Sequence, residues 1–184
     1  MEPAAKIPVM IYTESTPNPN TLKFVTNKPL LLNDSVEFQS AEETNEAPLA
    51  KALFGFDSVT NVFITNNFVT ITKTEDALWT EIMIPIKDFL KKYIDDGGVI
   101  LNEGFVKPTK TATNAVSDTD SDVEIRIKGA LDKYVKPAVE MDGGNISFVK
   151  FEDGKLTLQL QGSCSGCPSS TVTLKQGIEN LLIS

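Results

Sequence analysis

The chain has 184 residues, with 25 acidic and 17 basic side chains for a formal charge of −8; it contains two cysteines, Cys164 and Cys167, and no histidine. Without histidine there is no Ser-His-Asp or Cys-His catalysis, no histidine-ligated metal and no imidazole switch near neutral pH. An acidic chain of 41% apolar content has a globular composition and lacks the basic face that binding a nucleic-acid backbone requires, so any metal or redox chemistry has to pass through the two thiols.

The opening residues MEPAAKIPVM offer neither the basic start nor the apolar run of about 7–15 residues that a secretory signal needs. They also lack the arginine-rich amphipathic character of a mitochondrial leader. The most apolar stretch, Ile82 to Ile86, is broken by Pro85 and falls far short of the roughly 20 residues of a membrane span. The expected location is cytoplasmic, a removed organellar transit peptide being invisible to this reading.

In chain order, Val9 to Thr16 and Leu22 to Thr26 read as strands around the turn-rich run Thr16-Pro17-Asn18-Pro19-Asn20, which reads as a loop. Leu49 to Phe54 carry a short helical pattern. Val59 to Ile64 and Phe68 to Thr72 are β-branched and aromatic around Asn66-Asn67, a hairpin signature. A helix is expected over Asp76 to Asp95, with Ile82, Ile86, Phe89, Leu90, Tyr93 and Ile94 on one face and Gly97-Gly98 as its stop. Pro85 should kink it or mark its true start. From Lys107 to Ser121 the run KPTKTATNAVSDTDS is too polar to offset its ordering entropy and reads as a flexible linker.

Beyond the linker, Val123, Ile127, Leu131 and Val135 recur at four-residue spacing, interrupted by Pro137, and Gly143-Gly144 reads as a helix stop. Ile146 to Phe151 is a strand, Asp153-Gly154 a two-residue turn, and the following strand points Leu156, Leu158 and Leu160 inward. A loop then carries Cys164-Ser165-Gly166-Cys167, and a last helix from about Thr171 buries Leu174, Ile178, Leu181 and Leu182. The fold class is α+β, in two small domains spanning 8–106 and 122–184 with the linker at 107–121. The second domain has the order helix, hairpin, CxxC loop, helix.

The CxxC spacing brings two sulfurs together on a loop loosened by Gly162 and Gly166. Pro168 suits the first turn of the helix that follows, and Ser169 or Ser170 suits its cap. The positive end of a helix stabilises thiolates, so both cysteines are expected to be reactive or metal-ligating. By spacing alone, a redox dithiol and a metal ligand pair are both open. Zinc and iron–sulfur clusters usually take about four protein ligands; one chain supplies two, and a symmetric dimer supplies the rest. A thioredoxin-like reading is disfavoured by the antiparallel hairpin ahead of the loop and by Ser163, where that family typically has Trp. Asp118-Thr119-Asp120-Ser121-Asp122 resembles the start of a calcium loop, but Val123 and Gly129 stand where glycine and glutamate are needed, so it reads as a solvated acidic linker end. Asp95-Asp96 reads as a helix end, and no phosphate-binding glycine motif occurs.

The run Met141-Asp142-Gly143-Gly144, the hairpin, and then Gly162-Ser163-Cys164-Ser165-Gly166-Cys167-Pro168-Ser169-Ser170 with Thr173-Leu174-Lys175-Gln176-Gly177-Ile178-Glu179 closely resemble the NifU-type C-terminal domain, over about Val123 to Leu182. Thr16-Pro17-Asn18-Pro19-Asn20-Thr21-Leu22-Lys23-Phe24 resembles the N-terminal domain of Nfu proteins. The resemblance implies an iron–sulfur cluster scaffold or carrier, not an enzyme. It also implies a [4Fe–4S] cluster held between the subunits of a homodimer by Cys164 and Cys167 of each chain, with Gly166 and Pro168 shaping the loop. Implied partners are upstream cluster-assembly factors and apo client proteins. Members usually continue past the last helix with a short apolar strand-like stretch, whereas this sequence ends at Ser184, which leaves a smaller sheet expected for the second domain.

Overall fold

The computed structural model describes residues 7–106, 114, 116–164 and 168–183, with the backbone alone at 33 and 168–170. The chain divides into two compact units, Met1–Glu14 with Lys23–Phe105, and Ser15–Leu22 with Val106–Ser184.

The first unit is built on a hairpin. Asn66 takes a left-handed φ of 31°, a conformation asparagine tolerates better than β-branched residues, so Asn66-Asn67 turns the chain and Thr65 pairs with Phe68. The resulting strands are β4 (Val59–Asn66) and β5 (Phe68–Lys73). Their register places Val62 opposite Ile71 and Ile64 opposite Val69, and one residue on it places Phe63 opposite Thr70. Because successive side chains alternate faces, aliphatic pairs occupy one face and the aromatic–threonine pairs the other; all six are buried. With β1 (Ile11–Ser15), β2 (Thr21–Thr26) and β3 (Leu31–Phe38), the sheet has the order β1-β2-β5-β4-β3.

Strand β3 has no counterpart in the sequence reading. Its centre, Asn33-Asp34-Ser35, is made of turn formers, and the structure accommodates them as a register shift between Leu31 and Ser35 where β3 runs beside β4. The turn after β1 ties itself together: Thr16 Oγ1 donates to the Asn18 carbonyl at 2.9 Å, and Asn18 Oδ1 accepts from the Asn20 amide at 3.0 Å. Such local side-chain bonds are the reason Asn and Thr favour turns. A short helix, α1 (Pro48–Leu53), follows β3 after one 3₁₀ turn, and α2 (Trp79–Asp95) follows β5. The second helix starts three residues later than Asp76 and runs through Pro85, which is exposed. Pro85 has no N–H to give Glu81, so the helix carries one unmade bond on its solvent side. Ile86 and Leu90 are buried, and Phe89 packs edge-on against Phe56 with ring centroids 5.9 Å apart.

In the second unit, α3 (Asp122–Ala130) begins at a capping box: Ser121 accepts from the Glu124 amide, and the Glu124 carboxylate accepts from the Ser121 amide. The chain then makes a π turn, Leu131–Val135, before α4 (Lys136–Met141). This resolves the interruption expected at Pro137. Each four-residue step overshoots an α-helical turn by about 40°, and a wider turn takes part of that drift back. Ile127, Leu131, Val135 and Val139 therefore all stay in the core, while Val123 is exposed. The last helix, α5 (Pro168–Ile183), opens at Pro168 instead of Thr171, so Ser169 and Ser170 lie within its first turn. Ile178 is buried and Leu174 and Leu181 are half-buried, but Leu182 is exposed, being one residue, about 100°, past that stripe.

The polar run 107–121 departs from the linker reading over its later part; residues 107–113 and 115 lie outside the described residues. Asn114 sits beside strand β6 (Gly144–Glu152), its amide accepting from the Phe148 N–H at 2.8 Å and donating to the Ile146 carbonyl at 3.2 Å. A side-chain amide thus stands in for a neighbouring strand's peptide group. The acid at the end of the run is also not simply solvated. Asp120 pairs with Lys128 at 2.7 Å, and their side chains are only 11% and 6% exposed; Lys128 Nζ lies 5.0 Å from the centre of the Phe148 ring. Hydrogen bonds from Lys128, then from the Ser117 amide and hydroxyl, lower the Asp120 pKa from 3.8 to about 2.

Two outcomes follow from this packing. Leu131→Ala should cost the second unit about 2–5 kcal/mol. It should shift the urea transition seen by far-UV circular dichroism while the fluorescence of the single tryptophan, Trp79, keeps its midpoint. Asp120→Asn should lower the urea midpoint at pH 7. Because the folded-state pKa is depressed, Asp120 contributes fully above about pH 4, and the gap between variant and parent should close as pH falls toward about 2.

Candidate functional site

The geometry around the cysteine loop begins at a turn 10 residues upstream of Cys164. Asp153 and Gly154 have φ of 50° and 74°, the paired left-handed residues of a tight hairpin turn, and they set Glu152 opposite Lys155. A bulge between Phe148 and Lys150 then slips the register of β6 against β7 (Lys155–Gly162) by one, as one extra residue on one strand must. In an unbulged ladder Gly144 would fall opposite Ser163; with the bulge it pairs with Gly162. The stop of α4 and the start of the cysteine loop are thereby brought side by side.

The two glycines of Asp142-Gly143-Gly144 have different duties there. Gly143 has φ of 83°, the left-handed conformation that ends a helix, in agreement with the helix-stop reading. Gly144 is needed for space. A Cβ on it would lie 2.6 Å from the Gln161 carbonyl oxygen and 3.0 Å from Cys164 Sγ, well inside contact distance. Opposite, Gly162 has φ of 71° and turns the chain so that Ser163 faces back. The Ser163 hydroxyl donates to the Asp142 carbonyl, and its amide donates to the Gly143 carbonyl at 3.3 Å.

Cys164 consequently points into the unit. It is 4% exposed and belongs to the same core as Ile127, Leu131, Val135, Val139, Ile146, Phe148 and Ile178. The Ser163 hydroxyl lies 3.9 Å from its sulfur. An apolar groove lined by Tyr134, Val139, Leu174, Gly177 and Leu181 reaches it between α4 and α5. Cys167, Gly166 and Ser165 lie outside the described residues, and α5 starts at the residue after Cys167.

Among the described residues no three or more cysteine, aspartate or glutamate side chains converge as a metal site would require, and the acidic run 118–122 does not form one. A soft metal or cluster therefore has only the cysteine loop as a source of thiolates in this chain, and the donor chemistry suits iron–sulfur or zinc. The sequence alone marks Gly144 as half of a helix stop and Ser163 as a departure from thioredoxin, and gives neither a place against Cys164. The clue available was the second glycine of the pair, since a helix stop needs only one.

The second unit thus carries its CxxC pair between a hairpin and a helix. Residues 11–97 match the family model for the scaffold protein Nfu/NifU N terminal, and residues 127–184 match the NifU-like domain. The chain is 38% identical to the mitochondrial NifU-like protein 5 of Arabidopsis thaliana, covering 95% of this chain and 64% of that one. It is 37% identical to the mitochondrial NFU1 iron-sulfur cluster scaffold homolog of Homo sapiens, over 95% of this chain and 67% of that one. The NifU-like protein of Saccharomyces cerevisiae, solved by NMR, aligns with a TM-score of 0.48 at 26% identity over 56% of this chain and 92% of its own. The chain belongs to the Nfu family of iron–sulfur scaffold proteins. It spans about two thirds of the length of these curated relatives.

Glycine substitutions separate space from flexibility. Gly144→Ala should lose about 1–3 kcal/mol by forcing Gln161 and Cys164 apart. Gly129→Ala, in α3 with nothing within 4 Å of the added carbon, should gain up to about 1 kcal/mol. Urea unfolding followed by circular dichroism reads both.

Proposed function

We propose that this protein carries an iron–sulfur cluster, bound between two copies of the chain by Cys164 and Cys167 of each, and passes it to apo-proteins by ligand exchange. The observation that carries this reading is a count. The chain's whole supply of thiolate ligands is two cysteines spaced CxxC just ahead of α5, with no converging acids among the described residues to complete a site. A cluster with about four thiolate ligands then requires a second chain. The first unit contains no cysteine and can add no thiolate, so its part in the reading is to meet client proteins or upstream assembly factors.

A [4Fe–4S] cargo is the cluster type proposed, and the protein is read as a carrier and not an enzyme. No described helix is long and apolar enough to cross a membrane. The Arabidopsis and human relatives are mitochondrial proteins, which favours that compartment over the cytoplasm for this reading. The chemistry asks for a compartment that keeps thiols reduced.

Anaerobic reconstitution with iron and sulfide tests the proposal. The expected product is a brown dimer with about four iron and four sulfide per two chains, and Cys164→Ser or Cys167→Ser should each lower bound iron at least tenfold. A variant that retains a normal cluster overturns the ligand assignment. Zinc in place of iron, or disulfide-reductase turnover by an iron-free monomer, overturns the cargo.

A further inference from the structure

We infer that Cys164 is sheathed in the single chain, and that Gly144 and Ser163 are the positioning residues of the sheath, so that the Gly162–Cys164 turn must lift before this thiol can take a ligand. The inference rests on the reading of Cys164 as a cluster ligand and adds the step that precedes ligation.

A sulfur that bonds iron or zinc comes within about 2.3 Å of the metal, and one shared between two chains has to stand at a surface both can reach. Cys164 is 4% exposed and forms part of the core around Leu131 and Ile146. Its sulfur occupies the space that the missing side chain of Gly144 leaves open, 3.0 Å from where a Cβ would stand. The seat is fastened by Ser163, itself 2% exposed, through its hydroxyl to the Asp142 carbonyl and its amide to the Gly143 carbonyl.

The fastening sits beside a ready hinge. Gly162 holds φ of 71° with no Cβ to resist a change of dihedral. Cys164 helps to line the apolar groove between α4 and α5, and Gly144–Gly162 is the last pair of the ladder, so lifting the turn would open the thiol toward that groove at the cost of the hairpin's terminal pair alone. The sheath would shield a reactive sulfur from oxidation and stray metal while the chain is unloaded, since thiol reactivity follows exposure as well as pKa. It would also make cluster capture and release depend on one local opening.

Alkylation of the metal-free full chain by N-ethylmaleimide tests this, with Cys167→Ser as the background so that Cys164 is the only thiol. Labelling should be at least about tenfold slower than for glutathione, with a rate nearly independent of urea below the unfolding transition, as local opening requires. Ser163→Ala should raise the rate about three- to tenfold, the effect of one lost hydrogen bond, and by more than any change in its unfolding midpoint accounts for. Labelling at the glutathione rate, a rate that tracks global unfolding, or an unchanged rate in Ser163→Ala each overturns the sheath. Reconstitution of the unsubstituted chain separates the two readings. If a normal cluster forms although Cys164 labels at the glutathione rate, the sheath falls and the cargo stands. If Cys164 is protected but no iron binds, the cargo falls and the sheath stands.

Discussion

The register of the β6–β7 hairpin is the constraint on which the second unit turns. Asp153 and Gly154 close the hairpin in the left-handed region, and the bulge before Lys150 slips the ladder by one residue. Gly144 then meets Gly162, and Cys164 falls into the gap beside Gly144. A slip of one residue would reverse which strand residues face the core and move the cysteine loop away from the stop of α4. The apolar stripe of Ile127, Leu131, Val135 and Val139 holds that register, because Ile146 and Phe148 pack on it from the β6 side.

The polar features around the unit act in the same direction. Asn114 occupies backbone positions at the edge of β6, which blunts an edge that would otherwise invite another strand. Asp120 and Lys128 form an ion pair that is largely covered, with the ammonium also facing Phe148. Pairs of this kind tolerate removal of one partner poorly, since the remaining charge stays buried. The segment expected to be a loose tether thus contributes, at 114 and 117–121, to the body it precedes.

For the proposed function, scarcity of ligands and burial of one of them pull in opposite directions. Two thiols per chain make a second chain necessary for a four-thiolate cluster, whereas the unloaded chain keeps Cys164 inside. In that reading a carrier gains from the opposition, since a site shared between two chains can come apart. A closed four-cysteine site in one chain would hold its metal as a structural element.

The α+β class, the β4–β5 and β6–β7 hairpins, α2, the two-part organisation and the cysteine pair are legible in the sequence because each has a local cause: an Asn-Asn or Asp-Gly turn, a period of 2 or 3.6, a two-residue gap between thiols. Strand β3 is not legible, because Asn33-Asp34-Ser35 carry turn propensity that pairing with β4 overrides. The π turn is hidden for a different reason: Pro137 marks an interruption, but the four-residue spacing looks helical and nothing local says that the interruption is a wider turn. Composition and spacing by themselves determined that any thiolate-ligated metal or dithiol redox chemistry runs through Cys164 and Cys167, since no other thiol exists. The tertiary structure alone decided that Cys164 faces inward, against Gly144 and next to a Ser163 bonded to the Asp142 carbonyl. Those contacts join residues about 20 apart, and their distances depend on a strand register that no local pattern encodes.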